Sequence, residues 1–158
     1  MFHTILVAVD RTDVSQAAFE VALALAQIFT ANLILLNVLS PDDEARPNIP
    51  VMIGQLPGAT GLSRSMTTMY TELWQSYCDR ELAWLRSLAE KAAATGVDTT
   101  FHQSLGDSGP MICKFAQDLQ VDLTVVGRRD YSPLDELILG SVSNYVLHHA
   151  PCSVLMVR

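Results

Sequence analysis

The chain has 158 residues, of which 49% are hydrophobic and 17% charged, and its mean hydropathy is +0.24. That is enough apolar material for a buried core, which excludes intrinsic disorder as the overall state. Ten basic against seventeen acidic residues leave a formal net charge of −7, a sign that phosphate backbones and anionic lipid repel, so nucleic acid and membrane surfaces are excluded as partners.

The first element is Ile5-Leu6-Val7-Ala8-Val9, a nearly continuous aliphatic run typical of a strand buried on both faces, with Asp10 at its end. Met1 to Asp10 has neither a basic leader nor a small-residue cleavage site, so it reads as a strand of the mature protein and not as a signal peptide. From Asp13 the period changes to that of a helix, with Ala18, Val21, Ala22, Leu25 and Phe29 on one face and Asp13 with Gln16 resembling a capping box. Leu33 to Val38 is the second buried strand.

A long helix is expected from Met69 to about Thr95, with Leu85, Leu88, Ala89 and Ala92 inward and Gly96 ending it. Trp74, Tyr77 and Trp84 within it read as packing or interface residues. Val97 to Gln103 is a moderately alternating strand. Ser108 to Leu119 is a helix with Pro110 in its first turn and Ile112, Phe115, Ala116 and Leu119 inward. Leu123 to Gly127 is the fourth strand, Ser141 to His149 a short helix stopped by Pro151, and Ser153 to Val157 the fifth strand.

Strict alternation of strand and helix predicts an α/β fold: one doubly wound, five-stranded parallel sheet with helices on both faces. The expected order is 3-2-1-4-5 with strand one central, and residues 1–158 make a single domain. One stretch stands apart. Residues 39–65 hold four of the seven prolines (Pro41, Pro47, Pro50, Pro57) and Gly54, Gly58 and Gly61, far longer than the usual connection. It reads either as a tolerated surface insertion or as a contact surface for a partner or subunit.

In an open parallel sheet, ligands sit at the carboxyl ends of the strands, where the strand order reverses. Strand one ends in Asp10; strand four ends in Gly127, followed by Arg128, Arg129 and Asp130, and later by Gly140-Ser141-Val142-Ser143 opening a helix. Glycine there lets backbone approach a ligand, and the first-turn N–H groups with the hydroxyls of Ser141 and Ser143 suit phosphate oxygens. Ser141 can equally be just the cap of its helix, and Asp10 just a carboxylate of the turn into a helix.

The tract from Val125-Val126-Gly127 through Gly140-Ser141-Val142-Ser143 to Ala150-Pro151-Cys152-Ser153-Val154-Leu155 resembles that of universal stress proteins, as does Ile5-Leu6-Val7-Ala8-Val9-Asp10 with Ser15 and Ala17-Ala18. ATP-binding members of that family carry Gly-x2-Gly-x9-Gly-(Ser/Thr); here Gly127 and Gly140-Ser141 keep the outer spacing, while Asp130 stands where the middle glycine belongs. Aspartate tolerates left-handed backbone angles, but its carboxylate adds negative charge beside the expected phosphates, with Asp135 and Glu136 close behind and Arg128 and Arg129 to offset it. The resemblance implies an adenine nucleotide (ATP, ADP or AMP) as ligand, with magnesium as an optional bridge. It implies that Asp10 accepts hydrogen bonds from the ribose or adenine edge. It also implies that the Val38 backbone, just past strand two, pairs with adenine, and that Gly127, Arg128, Arg129, Asp130, Gly140, Ser141, Val142 and Ser143 surround the phosphates.

The expected function is therefore a cytoplasmic nucleotide-dependent binding module in stress response or signalling. The rival is a slow nucleotide hydrolase or α-phosphate transferase on the same architecture. Against it, the chain has no Gly-x4-Gly-Lys-(Ser/Thr) loop, and its lysines, Lys91 and Lys114, sit at no strand end. A phosphoryl-accepting receiver domain lacks its acidic pair and its lysine here. His3, His102, His148 and His149 show no metal-ligand spacing. Cys78, Cys113 and Cys152 form neither a disulfide framework nor a zinc site and suit a reducing compartment. Val154 to Val157 carries no lysine or proline to discourage edge pairing, and related proteins pair this edge across a two-fold axis, so a homodimer or larger is expected.

Overall fold

The computed structural model describes residues 1–40, 47, 64–128 and 141–158; most of the proline- and glycine-rich stretch, together with Arg129, Asp130, Asp135, Glu136 and Gly140, lies outside the described residues. In chain order the elements are β1 (Thr4–Ala8), α1 (Asp13–Phe29), β2 (Asn32–Leu39), α2 (Arg64–Ala93), β3 (Thr99–Leu105), α3 (Ser108–Asp118), β4 (Leu123–Gly127), α4 (Ser141–His149) and β5 (Ser153–Val157). The five strands form one all-parallel sheet, as the alternation predicts, in the expected order β3-β2-β1-β4-β5 with β1 central.

The run Ile5 to Val9 is continuous because β1 is buried on both sides. Ile5, Val7 and Val9 share one cluster with Leu33, Leu35, Leu123 and Val125, against Ala18, Phe19 and Ala22 of α1 and Leu85, Leu88 and Ala92 of α2. Leu6 points the other way, joining Ile34, Leu36 and Val126 beneath Ile112 and Ala116 of α3 and Val146 of α4. With a side-chain period of two, each strand feeds both cores, and any register slip would exchange them.

Several boundaries and faces differ from the sequence reading. The cap of α1 is Thr12, whose hydroxyl accepts from the Ser15 N–H at 3.3 Å, and not Asp13, while Gln16 bonds Glu20 instead of closing a capping box. The buried face of α1 is rotated to Ala18, Phe19, Ala22, Leu23 and Ala26, leaving Val21, Leu25 and Phe29 at its margin. Helix α2 begins at Arg64, before Met69, and at 30 residues is about 45 Å long. Its end follows the expectation: Gly96 takes φ +88 in the turn after the helix. Strand β3 starts at Thr99, two residues later than Val97. Leu119 is exposed, because α3 has already ended at Asp118.

At the amino ends of the strands, Asp122 just before β4 accepts from the backbone N–H groups of His3 (2.8 Å) and Thr4 (2.9 Å) through Oδ2. These two bonds hold its carboxyl below the usual carboxylate range. They fix where β1 enters the sheet.

Candidate functional site

The carboxyl ends of β1, β2 and β4 converge where the order reverses. The β1–β2 register pairs Thr4 with Asn32 and Ala8 with Leu36, and the β1–β4 register pairs Val7 with Val125. Continued two or three residues, the same registers bring Asp10 level with Val38 on one side and with Arg128 on the other. The registers thus put three of the residues singled out from the sequence at the same end of adjacent strands.

Asp10 is half-buried, and its turn is built by its own neighbours. Its Oδ1 accepts from the Thr12 N–H at 3.0 Å and from the Thr12 hydroxyl, and its own N–H donates to Ser15 Oγ at 2.7 Å. This is an Asx turn running directly into a helix cap, so the turn role and a ligand role are compatible. Thr12 was not among the sequence-based candidates; the Asp-x-Thr-x-x-Ser spacing is the signal that would have found it.

Val38 lies inside β2, opposite Ser104 of β3, and not just past the strand. The Leu36 carbonyl accepts from the Val9 N–H at 2.8 Å, so the Leu36 peptide groups face β1. Two residues on, alternation turns the N–H and C=O of Val38 to the same side, beyond the last β1–β2 rung at Ala8–Leu36. Between them, Asn37 is 3% exposed and its Nδ2 donates to the Val9 carbonyl at 2.9 Å. Asn37 also escaped the sequence reading, since a polar residue within an apolar run carries no sign of its partner.

Gly127 closes the other side. A Cβ placed there would stand 3.1 Å from the Val14 carbonyl oxygen and 3.3 Å from the Ser15 N, so its bareness lets β4 lie against the first turn of α1. Arg128 continues the sheet, its N–H donating to the Val157 carbonyl at 2.8 Å. At the start of α4, Ser141 is exposed, Val142 is partly buried on the second core, and Ser143 is 2% exposed. The other phosphate-side candidates, Arg129, Asp130 and Gly140, lie outside the described residues.

Of the remaining candidates, several pack against their neighbours, while His3, His148 and His149 are exposed. Tyr77 is buried with Trp74 at 5.5 Å, and His102 packs 5.4 Å from the Phe115 ring. Burial, with Cys152 nearby, pushes the Cys113 thiol up, and burial does the same at Cys78, the opposite of nucleophile activation. Among the described residues, no helix is long and apolar enough to cross a membrane, and no three His, Cys, Asp or Glu side chains group to hold a metal ion.

The model of the universal stress protein family matches residues 1–158. The chain is 34% identical over 157 residues to Universal stress protein Sll1388 of Synechocystis, covering 99% of this chain and 98% of that one. It is 33% identical over 158 residues to Universal stress protein YxiE of Bacillus subtilis, covering both in full (100%). Its fold is similar to that of UspA from Lactobacillus plantarum, with TM-score 0.73, 26% identity and coverage of 99% and 98%. It is also similar to a universal stress protein solved in complex with cAMP (TM-score 0.67, 22% identity, coverage 99% and 97%). An Arabidopsis thaliana member of the family solved with AMP bound is similar too (TM-score 0.61, 20% identity, coverage 98% and 90%).

Proposed function

This chain belongs to the universal stress protein family, and on that footing we propose that it is an adenine-nucleotide-binding module of stress response or signalling, acting through nucleotide occupancy and not through turnover. One observation carries the reading: alternation along β2 turns the Val38 backbone toward the end of β1, and Asp10, its Oδ1 held by the Thr12 N–H, follows that same strand end. A peptide N–H and C=O side by side match the donor–acceptor edge of adenine, and a carboxylate beside them suits ribose hydroxyls.

Phosphates would lie toward Gly127 and the first turn of α4, where the positive end of the helix dipole and the Ser141 hydroxyl favour anions. Gly140, Arg128, Arg129, Asp130, Val142 and Ser143 complete the proposed set. AMP-bound and cAMP-bound relatives of the same fold support adenine nucleotides as the ligand class. The proposal includes a single domain over residues 1–158, a cytoplasmic location, and a homodimer pairing through β5. Weak ATP hydrolysis is the most turnover this residue set would support, since neither lysine stands at a strand end.

The test is direct. Small molecules released from the purified, untreated protein are identified by mass spectrometry, and AMP, ADP and ATP are titrated calorimetrically into nucleotide-free protein. An adenine nucleotide released or bound at micromolar affinity supports the reading; no release and no heat with any of the three refutes it.

A further inference from the structure

The turn after β1 is tied to α2 by a contact that ligand binding does not itself require. Arg11, the residue after Asp10, places its Nε–H between both carboxylate oxygens of Glu81, 3.0 Å from Oε1 and 2.9 Å from Oε2. Its Nη2 donates to the Arg80 carbonyl at 3.4 Å, and its guanidinium carbon lies 5.1 Å from the centre of the Trp84 ring. The Glu81 side chain is 6% exposed and that of Arg11 is 47% exposed. Arg80 adds a longer contact to Oε1 at 3.4 Å.

The same turn of α2 reaches the end of β2. Gln103 Nε2 on β3 lies 3.4 Å from Asn37 Oδ1 and 3.4 Å from the Cys78 carbonyl, and Asn37 in turn holds the Val9 carbonyl. Residues 78–81 therefore connect through polar groups to both strand ends that flank the proposed adenosine site.

A carboxylate desolvated this far adds little net stability over an apolar side chain of similar volume. What the ion pair supplies is direction, because a guanidinium donates only along fixed lines in its plane. Here those lines run from the residue next to Asp10 into the one turn of α2 that also meets β2 through Gln103.

We propose that Arg11 and Glu81 are positioning residues of the nucleotide site: by locking the β1–α1 turn against α2 they set the direction in which Asp10 meets the ribose of an adenine nucleotide. Neither contacts the nucleotide; both act through the Asp10–Thr12 turn. The inference rests on the function proposed above for the ligand, and on the hydrogen bonds alone for the lock.

The experiment combines AMP calorimetry with amide hydrogen exchange on the full chain. Glu81→Gln keeps the size and planar shape while removing the charge and one of the two acceptor oxygens, so folding is expected; Arg11→Lys, at a half-exposed position, carries the same test should that variant fail to fold. The expected result is AMP affinity about tenfold weaker in Glu81→Gln, with little further loss when the substitution is made in an Asp10→Asn background. The Thr12 and Ser15 amides should exchange faster, with Val125 of β4 unchanged. Equal loss of affinity in both backgrounds overturns the proposal, because the pair then does not act through Asp10. Unchanged exchange at Thr12 overturns the lock whether or not AMP binds. A wild-type protein that binds no AMP refutes the nucleotide reading itself, and the exchange result then still decides, in favour or against, whether the pair fixes the turn.

Discussion

A Cβ on Gly127 would stand 3.1 Å from the carbonyl oxygen of Val14 and 3.2 Å from its carbonyl carbon, so the end of β4 and the first turn of α1 touch backbone to backbone. This close packing acts whether or not a ligand is bound, and is separate from the role in phosphate approach proposed for the same glycine.

Gly127→Ala should therefore lower stability by about 1–3 kcal/mol, since the opposing atoms belong to a capped helix turn that cannot give way as a flexible side chain would. Urea unfolding of the ligand-free protein measures it. A midpoint equal to that of the wild type would show that the turn shifts without cost and that the glycine serves the ligand alone.

Asp122 makes stability depend on acid. Its folded pKa is lowered by the backbone N–H groups of His3 first and Thr4 second, so its contribution is fully present above the unfolded value, about 4. The contribution is lost as pH falls through the lower folded value. Asp122→Asn should be less stable than wild type at pH 6, and the gap between the two proteins should narrow steadily below about pH 4. A gap that stays constant from pH 6 to pH 2.5 would contradict the assignment.

Asp130 takes the place of the motif's middle glycine, and a carboxylate facing phosphates penalises each added phosphate charge. At an effective dielectric near 20, two unit charges ~6 Å apart repel by roughly 3 kcal/mol before salt and rearrangement reduce it. Asp130→Gly should improve ATP affinity more than AMP affinity, and magnesium should shrink the difference by bridging carboxylate and phosphates. Paired titrations with and without magnesium decide it; equal changes for the two nucleotides would mean that the carboxylate does not face the phosphates.

Strand β5 is an edge of the sheet, and Val154, Leu155, Met156 and Val157 on it are only partly buried. An apolar edge without a charge or proline invites a second strand. Light scattering at micromolar concentration should give twice the 17.3 kDa of one chain. A mass of one chain would remove β5 pairing from the proposal.

Much of the architecture was legible in the residues themselves. Aliphatic runs at Ile5–Val9, Leu33–Val38 and Leu123–Val126, separated by segments of helical period, leave a parallel sheet as the one arrangement that buries both faces of each strand. The glycine–serine spacing around Gly127 and Gly140-Ser141 pointed to the ligand end of that sheet, because close backbone approach and open helix N–H groups are local properties written in consecutive residues. What the tertiary structure alone decided are the partners of polar groups. Asn37 holding the Val9 carbonyl, Arg11 reaching Glu81 across 70 positions and Asp122 receiving the first strand across 118 have no signature in sequence, since each bond joins residues that only folding brings together. The exact face of α1 was likewise settled by the sheet beneath it: a rotation of somewhat under a quarter turn exchanges Val21 for Leu23 without altering the helical period, and only the packed surface of β1, β2 and β4 distinguishes the two.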